Sequence, residues 1–184
     1  MRTITRRKAL ILGLTSTAAA TIGAVPRAEA VPEYAIDATL RDFYWRVRGS
    51  HALVTRAAGV LVFPRVYKAG IGIGGEYGEG VLLVRGRSIA TYNCVSASVG
   101  FQLGAQARSV IILFMTEEAL ARFDRTDGWK VGVDGSVALI TVGAGGSIDT
   151  DRIANPVVGF IFDNKGLMYN LTLEGTKISR ISRW

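Results

Sequence analysis

Two hydrophobic periods divide this chain, one helical and one typical of strands. Residues 31–58 have the helical pattern, because apolar side chains recur there at intervals of three and four. The set consists of Ile36, Leu40, Phe43, Tyr44 and Val47. Gly49 interrupts the pattern, and Ser50 is suited to cap a second helix that continues to Ala58. From Gly59 onward the period changes to two, which predicts β-strands.

The clearest strand pattern lies between Val95 and Ala107. Every odd position in this stretch carries an apolar residue, and every even position carries Ser, Gly or Gln. Such alternation predicts a long strand with one dry face, formed by the odd positions, and one polar face. Ser109 precedes the apolar run 110–114, and residues 109–114 form either another strand or the continuation of this one past a bend.

The remaining elements are short. Thr116 is suited to cap a short helix that ends at Phe123, and residues 163–166 (DNKG) have the composition of a hairpin turn. The other predicted strands are Val60–Phe63, which Pro64 would stop, Val131–Val133, Val137–Val142, Val157–Phe162, Leu167–Leu173 and Thr176–Trp184. Strands do not alternate with long helices, which argues against a doubly wound α/β sheet. We therefore predict an α+β fold: N-terminal helices packed on a strongly coiled, mostly antiparallel β-sheet or small barrel with one short inserted helix.

Residues 70–75 (GIGIGG) satisfy the spacing G-x-G-x-x-G of loops that bind a dinucleotide pyrophosphate. Such a loop needs a helix that begins at its third glycine and an acidic residue about 20 positions later. Here EYGEG and the apolar run 81–84 follow instead, and residues 80–116 contain no Asp or Glu. The glycines alternate with Ile71 and Ile73, so they would leave one strand face bare. A bare face permits tight curvature or close packing of another element.

The first thirty residues have the organisation of an export signal. A basic start precedes a mildly apolar run, 9–25, which is short and dilute compared with the about 20 apolar residues of a membrane span. Ala28-Glu29-Ala30 forms a small-x-small cleavage site. The pair Arg6-Arg7 is similar to a twin-arginine signal, although an ordinary Sec signal is the alternative. Val31 follows the site, whereas a lipoprotein would have Cys there, so we expect one domain, 31–184, that is exported to the periplasm or the membrane surface.

Composition limits the candidate chemistry. Of the 184 residues, the signal removes five Lys/Arg and one Glu, so the formal charge falls from +7 to +3, too little for a nucleic-acid polycation. The single cysteine, Cys94, cannot form an intrachain disulfide and is expected to be a buried, inert thiol. His51 has no partner at metal-ligand spacing. No nucleophile and base stand together, so we predict neither enzyme activity nor a cofactor or metal.

Several motifs resemble the SYLF domain, in matching order over roughly residues 36–181. They are Ala58–Pro64, Lys68–Gly70, Gly74–Gly75, Gly78–Leu82, Gly100–Gln106, Leu113–Phe114 with Ala119, Leu120 and Phe123, Gly166–Leu167 and Leu173–Thr176. The resemblance implies lipid binding without catalysis. Eukaryotic members bind phosphoinositide membranes and some bind actin. Export to a bacterial periplasm argues against both ligands and favours anionic phospholipids such as phosphatidylglycerol or cardiolipin.

Basic residues near the helical stripe and the strand motifs are the candidate lipid contacts. They are Arg41, Arg46, Arg48, Arg65, Lys68, Arg85 and Arg87. The first helix, with Phe43, Tyr44 and Trp45 in its stripe, could lie in a membrane interface. Alternatively, the stripe packs on the domain and the arginines are only solvated. A different function, that of an envelope adaptor which binds a protein through an exposed sheet or helix face, fits the same residues.

Overall fold

The computed structural model describes residues 31–142, 155–166 and 172–183, without the side chains of residues 71, 72, 98–104 and 166. The predicted signal segment therefore lies outside the described residues. In chain order the elements are α1 (Glu33–Arg46), α2 (Ser50–Arg56), β1 (Gly59–Val84), β2 (Arg87–Phe114), α3 (Glu117–Arg125), β3 (Trp129–Lys130), β4 (Ala138–Thr141), β5 (Val157–Gly166) and β6 (Lys177–Arg183). The helices pack on a curled, mostly antiparallel sheet. The predicted α+β class is thus confirmed.

A long hairpin of β1 and β2 organises the sheet. Its two-residue turn, Arg85-Gly86, has φ values of 51° and 74°, which is the mirror-image turn that suits the twist of paired strands. The opposite edge of β2 is shared: β6 pairs with residues 90–95 and β5 with residues 106–114. Strand β4 then extends the sheet parallel to β5, and β3 pairs with β6.

Strand β1 folds back on itself at the glycine-rich segment. A Cβ added at Gly70 would overlap the Cα of Gly74, and one added at Gly80 would lie 2.5 Å from Phe63 Cδ1. The first and second halves of β1 therefore approach each other more closely than residues with side chains would allow. The segment 70–75 is continuous strand and no helix follows it, which agrees with the structural explanation of its glycines.

The core lies on both faces of the sheet where β1, β2 and β5 meet. One cluster contains Phe63, Ile112 and Phe114 together with Phe123 of α3. The other contains the buried stripe of α1, and Phe43 of this stripe packs with its ring centroid 4.9 Å from that of Phe160. The stripe of α1 thus covers the sheet and is not free to insert into a membrane.

Several predicted boundaries are wrong for local reasons. Pro64 does not stop β1, which passes it with a register shift between Phe63 and Val66. Ser50 is the first residue of α2 and not its cap, because Gly49 at φ 85° precedes it and the Ser50 hydroxyl donates to Val47 O at 2.6 Å. The helix cap at Thr116 is confirmed, since its hydroxyl oxygen accepts from Ala119 N.

The second half of the chain contains further differences. Residues 163–166 are no hairpin turn but the end of β5, in which Asp163 adopts the left-handed φ of 51°. The strand predicted at Val131–Val133 is displaced to Trp129–Lys130, and residues 132–134 form a turn. The strand predicted at Leu167–Leu173 lies largely outside the described residues, and its last two positions are not strand.

Candidate functional site

The middle of the hairpin has its apolar face turned outward. On β2, the odd positions Val95, Ala97 and Ala105 are exposed, whereas Gln106 is buried. The predicted alternation is therefore present, but the prediction that the odd positions form a dry face is wrong for the side chains that the structure describes. The fold-back of β1 is the reason: it leaves the inner side narrow, and glycines and polar side chains occupy it.

Strand β1 continues this outward face. Its exposed apolar side chains include Ile73, which is 73% exposed and lies at the fold-back. Tyr77 pairs with Val95 in the register, and Ala69 pairs with Ala105. We call this surface the hairpin crest; its members are Tyr67, Ala69, Ile73, Tyr77, Val95, Ala97 and Ala105.

A buried ionic cluster lies on the inner face of the same strands. Glu76 accepts from Arg108 Nη2 at 2.6 Å and pairs with Lys68 Nζ at 3.1 Å. All three side chains are buried, with Lys68 only 3% exposed. Lys68, which the sequence suggests as a lipid contact, is therefore out of reach of a headgroup at the surface. Its ammonium group instead pairs with Glu76 in the interior of the fold.

This cluster has more positive than negative charge. Arg108 Nη2 also donates to Thr172 O at 3.0 Å, but its Nε and Nη1 have no hydrogen-bond partner within the described part of the chain. Unpaired buried donors cost about 1–3 kcal/mol each, and more when charged. Glu76 is thus the carboxylate on which two buried cations depend.

A groove between α1 and the sheet brings two of the predicted arginines together. Asp163 Oδ1 lies 3.5 Å from Arg46 Nη2, and Asp163 Oδ2 lies 3.3 Å from Arg65 Nη1. Arg46 Nε also donates to both carboxylate oxygens of Asp42 at 2.8 Å, and this hydrogen bond raises the pKa of Arg46. The left-handed backbone of Asp163 occurs where β5 and β2 lose register, between Ala107 and Ser109 of β2.

The charged end of this groove has a volume of about 460 Å³ and continues into an aromatic end of about 500 Å³. Tyr34 and Arg65 line both ends, and Tyr67 and Tyr77 line the aromatic one. The Tyr77 hydroxyl donates to the Glu79 carboxylate, and partial burial together with this bond raises the pKa of Tyr77 to about 12. We call the whole feature the α1 groove: Tyr34, Arg46, Arg65, Tyr67, Tyr77 and Asp163.

The solvent-facing side of α1 carries a second set of aromatic and basic side chains. Tyr34, Arg41 and Trp45 are all exposed, and their spacing of i, i+7 and i+11 places them on one face of the helix. Trp45 is 80% exposed, whereas Phe43 is completely buried. The sequence grouped these two aromatics in one stripe, and the structure assigns them to opposite faces.

The other predicted basic residues are exposed but lie apart from the α1 groove. Arg85 lines a separate groove of about 420 Å³ that also contains the acidic residues Glu33 and Asp37. Arg87 begins β2 beside it, and Arg48 follows α1. Sequence reasoning missed the tyrosines of the α1 groove and its carboxylate, because they come from three distant segments that are joined only in the folded chain.

The single cysteine and the single histidine lie in different environments. Cys94 is buried, which together with nearby Glu76 raises the pKa of its thiol to about 12. His51 is exposed and contacts the ring of Tyr44. Within residues 31–142, 155–166 and 172–183, no three His, Cys, Asp or Glu side chains group as metal ligands. Over the same residues, no helix has the length and apolarity to cross a bilayer.

Comparison with known proteins identifies the family of the second half of the chain. A family model described as "Ysc84: Las17-binding protein actin regulator" matches residues 95–184. Over these residues the chain therefore matches the SYLF-domain family. The description names a binding and regulatory function and not a catalytic one. None of the curated proteins matches the chain.

The candidate surfaces extend across the start of the SYLF match. The matched residues contribute Val95, Ala97 and Ala105 to the hairpin crest, Arg108 to the ionic cluster and Asp163 to the α1 groove. Helix α1 and strand β1, which precede the match, contribute the remaining members. Both halves are thus needed to build these surfaces.

Proposed function

We propose that this SYLF-domain protein is a non-enzymatic phospholipid-binding protein of the bacterial cell envelope, which binds anionic headgroups through the α1 groove. The observation that carries the proposal is the convergence of Arg46 and Arg65 on Asp163 beside exposed tyrosines. Headgroups of the phosphatidylglycerol or cardiolipin type are the proposed ligands.

The guanidinium groups of the groove suit an anionic ligand, and carboxylates hold them in position. Asp163 pairs with Arg46, with Arg65 and with Lys165 Nζ, the last at 3.6 Å, and Asp42 is a second carboxylate beside Arg46. Guanidinium groups match phosphate oxygens in a bidentate arrangement, and each basic side chain near an anionic surface contributes about 1 kcal/mol. Arg46 and Arg65 are partly exposed and can exchange a carboxylate oxygen for a phosphate oxygen.

The outer face of α1 also suits a membrane that lies beside the α1 groove. Tyrosine and tryptophan favour the headgroup level of a bilayer, and Tyr34 and Trp45 flank Arg41 on this face. A membrane beside the α1 groove would therefore meet both aromatic and basic side chains.

The test is flotation with vesicles of phosphatidylglycerol or cardiolipin against neutral vesicles. The protein is purified after export from cells that express the full chain. We expect the double variant Arg46→Gln/Arg65→Gln to lose about 2 kcal/mol of binding, a decrease of about 30-fold. The matched control is Arg183→Gln on the remote strand β6, which breaks the ion pair of Arg183 with Asp124 of α3. Equal flotation of the double variant and the wild type would refute a headgroup site in the groove.

Envelope localisation rests on the segment 1–30. The mass of the exported protein should correspond to a chain that begins at Val31. Replacing Arg6 and Arg7 by lysines should block export if the twin-arginine route is used and leave it intact if the Sec route is used.

An envelope adaptor is the second candidate function. It is favoured by the description of the family model, which names a protein-binding regulator. Two experiments separate these functions: a pull-down from envelope extract and flotation with protein-free vesicles. An adaptor would capture one protein reproducibly in the first experiment and would not float in the second.

A further inference from the structure

The hairpin crest concentrates the exposed apolar side chains of the described residues. Among the described residues, eight large hydrophobic side chains are exposed, and four of them, Tyr67, Ile73, Tyr77 and Val95, lie on the crest. Single exposed apolar residues are ordinary, whereas a contiguous patch marks an interaction surface. We propose that the hairpin crest inserts into the apolar edge of a phospholipid bilayer while the α1 groove engages the headgroups. This inference rests on the proposed phospholipid binding.

The crest has no charged member. All of its side chains are Tyr, Ala, Ile or Val. The charges of the same stretches of β1 and β2, on Lys68, Glu76 and Arg108, are on the opposite face and are buried as ion pairs. In a protein surrounded by water, a strand usually turns its polar side chains outward and its apolar side chains inward. Here the outer face is apolar and the inner face is ionic, as a ribbon in contact with lipid requires.

Hydrogen bonds across the hairpin satisfy part of the backbone of the ribbon. Unpaired N–H and C=O groups cost several kcal/mol each in hydrocarbon. Strands β1 and β2 pair from Val84 and Arg87 at the turn to Gly59 and Phe114 at the far end, with three register shifts. Most backbone groups that face across the hairpin are therefore already satisfied.

The order of residue types along the ribbon selects a bilayer as the occupant. Ile73 lies at the fold-back, and Tyr67 and Tyr77 lie six and four residues away on the two arms. Both tyrosines line the α1 groove with Arg65. Apolar, then aromatic, then basic is the order of depth in a membrane interface, where aromatics mark the headgroup level and cations meet the anionic surface. A protein partner would have no need for this order.

The test places a polarity-sensitive nitrobenzoxadiazole probe on Ile73→Cys and, as a control, on Val133→Cys. These positions are matched, with exposures of 73% and 74%, and Val133 lies in a turn outside the crest. Labelling is selective because Cys94 is buried. With phosphatidylglycerol vesicles we expect a blue shift at position 73, and quenching there by spin labels on the acyl chains, but neither effect at position 133.

A second measurement uses variants that carry no probe. Ile73→Ser should lower the vesicle partition coefficient about tenfold, because the lost apolar burial of one isoleucine has that size, and Val133→Ser should leave it unchanged. Flotation of the wild type with a probe at position 73 that stays in water would overturn the crest inference and leave the proposed function standing. Failure of the wild type to float would refute both. A shift at position 73 that depends on protein concentration without vesicles would identify a second copy as the occupant and overturn the inference.

Discussion

Arg108 Nη2 and Glu76 Oε2 lie 2.6 Å apart in the interior of the folded hairpin, and both side chains are buried. Lys68 Nζ forms an ion pair with the other oxygen of the same carboxylate, Glu76 Oε1. Removal of one partner from a buried pair is more destabilising than replacement of the whole pair, because it leaves an uncompensated charge. The stability of the fold-back therefore depends on Glu76.

The first prediction follows from this dependence. Glu76→Gln should lower the free energy of unfolding by about 3–5 kcal/mol, since two buried cations lose their counter-charge. Lys68→Met should cost less, because it leaves the pair of Glu76 with Arg108 balanced. Urea unfolding measures both values. Glu174→Gln, at an exposed position, is the control, and a cost of Glu76→Gln no larger than this control would contradict the prediction.

The second prediction concerns the glycines that permit the fold-back. A Cβ at Gly80 would lie 2.5 Å from Val62 O, whereas the nearest atom to a Cβ at Gly75 is Ser96 O at 3.7 Å. We expect Gly80→Ala to destabilise the protein by about 1–3 kcal/mol and Gly75→Ala to stay within about 0.5 kcal/mol of the wild type. Thermal unfolding of both variants tests the difference. Equal stability would mean that the two halves of β1 do not pack as described.

The third prediction separates stability from membrane binding on α1. Phe43→Ala should cost about 3–5 kcal/mol, because its ring packs against Phe160 and Phe162. Trp45→Ala should change stability by less than about 0.5 kcal/mol and should weaken flotation with anionic vesicles. Chemical unfolding and flotation are measured on the same preparations. If Trp45→Ala floats as the wild type does, the outer face of α1 does not contact the membrane.

The fourth prediction is a pH dependence. Burial raises the pKa of the Cys94 thiol from 9.0 to about 12, so the folded state favours the protonated form. The resulting stability is complete below pH 9 and is lost as the pH rises from 9 towards 12. At pH 10.5 we expect a loss of about 2 kcal/mol relative to pH 8 that is absent in Cys94→Ala. Unfolding in urea at the two pH values measures it, and parallel losses in both proteins would exclude Cys94 as the cause.

The sequence predicted those elements whose pattern is local. The spacing of Ile36, Phe43 and Val47 is sufficient to define α1 and its buried face. The alternation along β2 correctly predicts a strand. Alternation shows that the two faces of a strand differ but not which one meets the core. The polar face of β2 turns inward because Arg108 pairs there with Glu76, which lies far from it in sequence and approaches it only when β1 folds back.

The α1 groove was hidden for a similar reason. Residues 163–166 have the composition of a turn, because Asp, Asn and Gly tolerate left-handed backbone. In the fold, Asp163 uses this backbone at a register shift within β5 and thereby reaches Arg46 and Arg65. The arginines were visible as basic residues, but their common partner could not be identified from their spacing.

Flotation of the exported wild-type protein is the most direct test of phospholipid binding. Vesicles that contain phosphatidylglycerol or cardiolipin are compared with neutral vesicles at low and at high salt. We predict flotation with the anionic vesicles at low salt and a clear decrease at high salt, because salt screens exposed charges. Failure to float with any vesicle under either condition would contradict phospholipid binding.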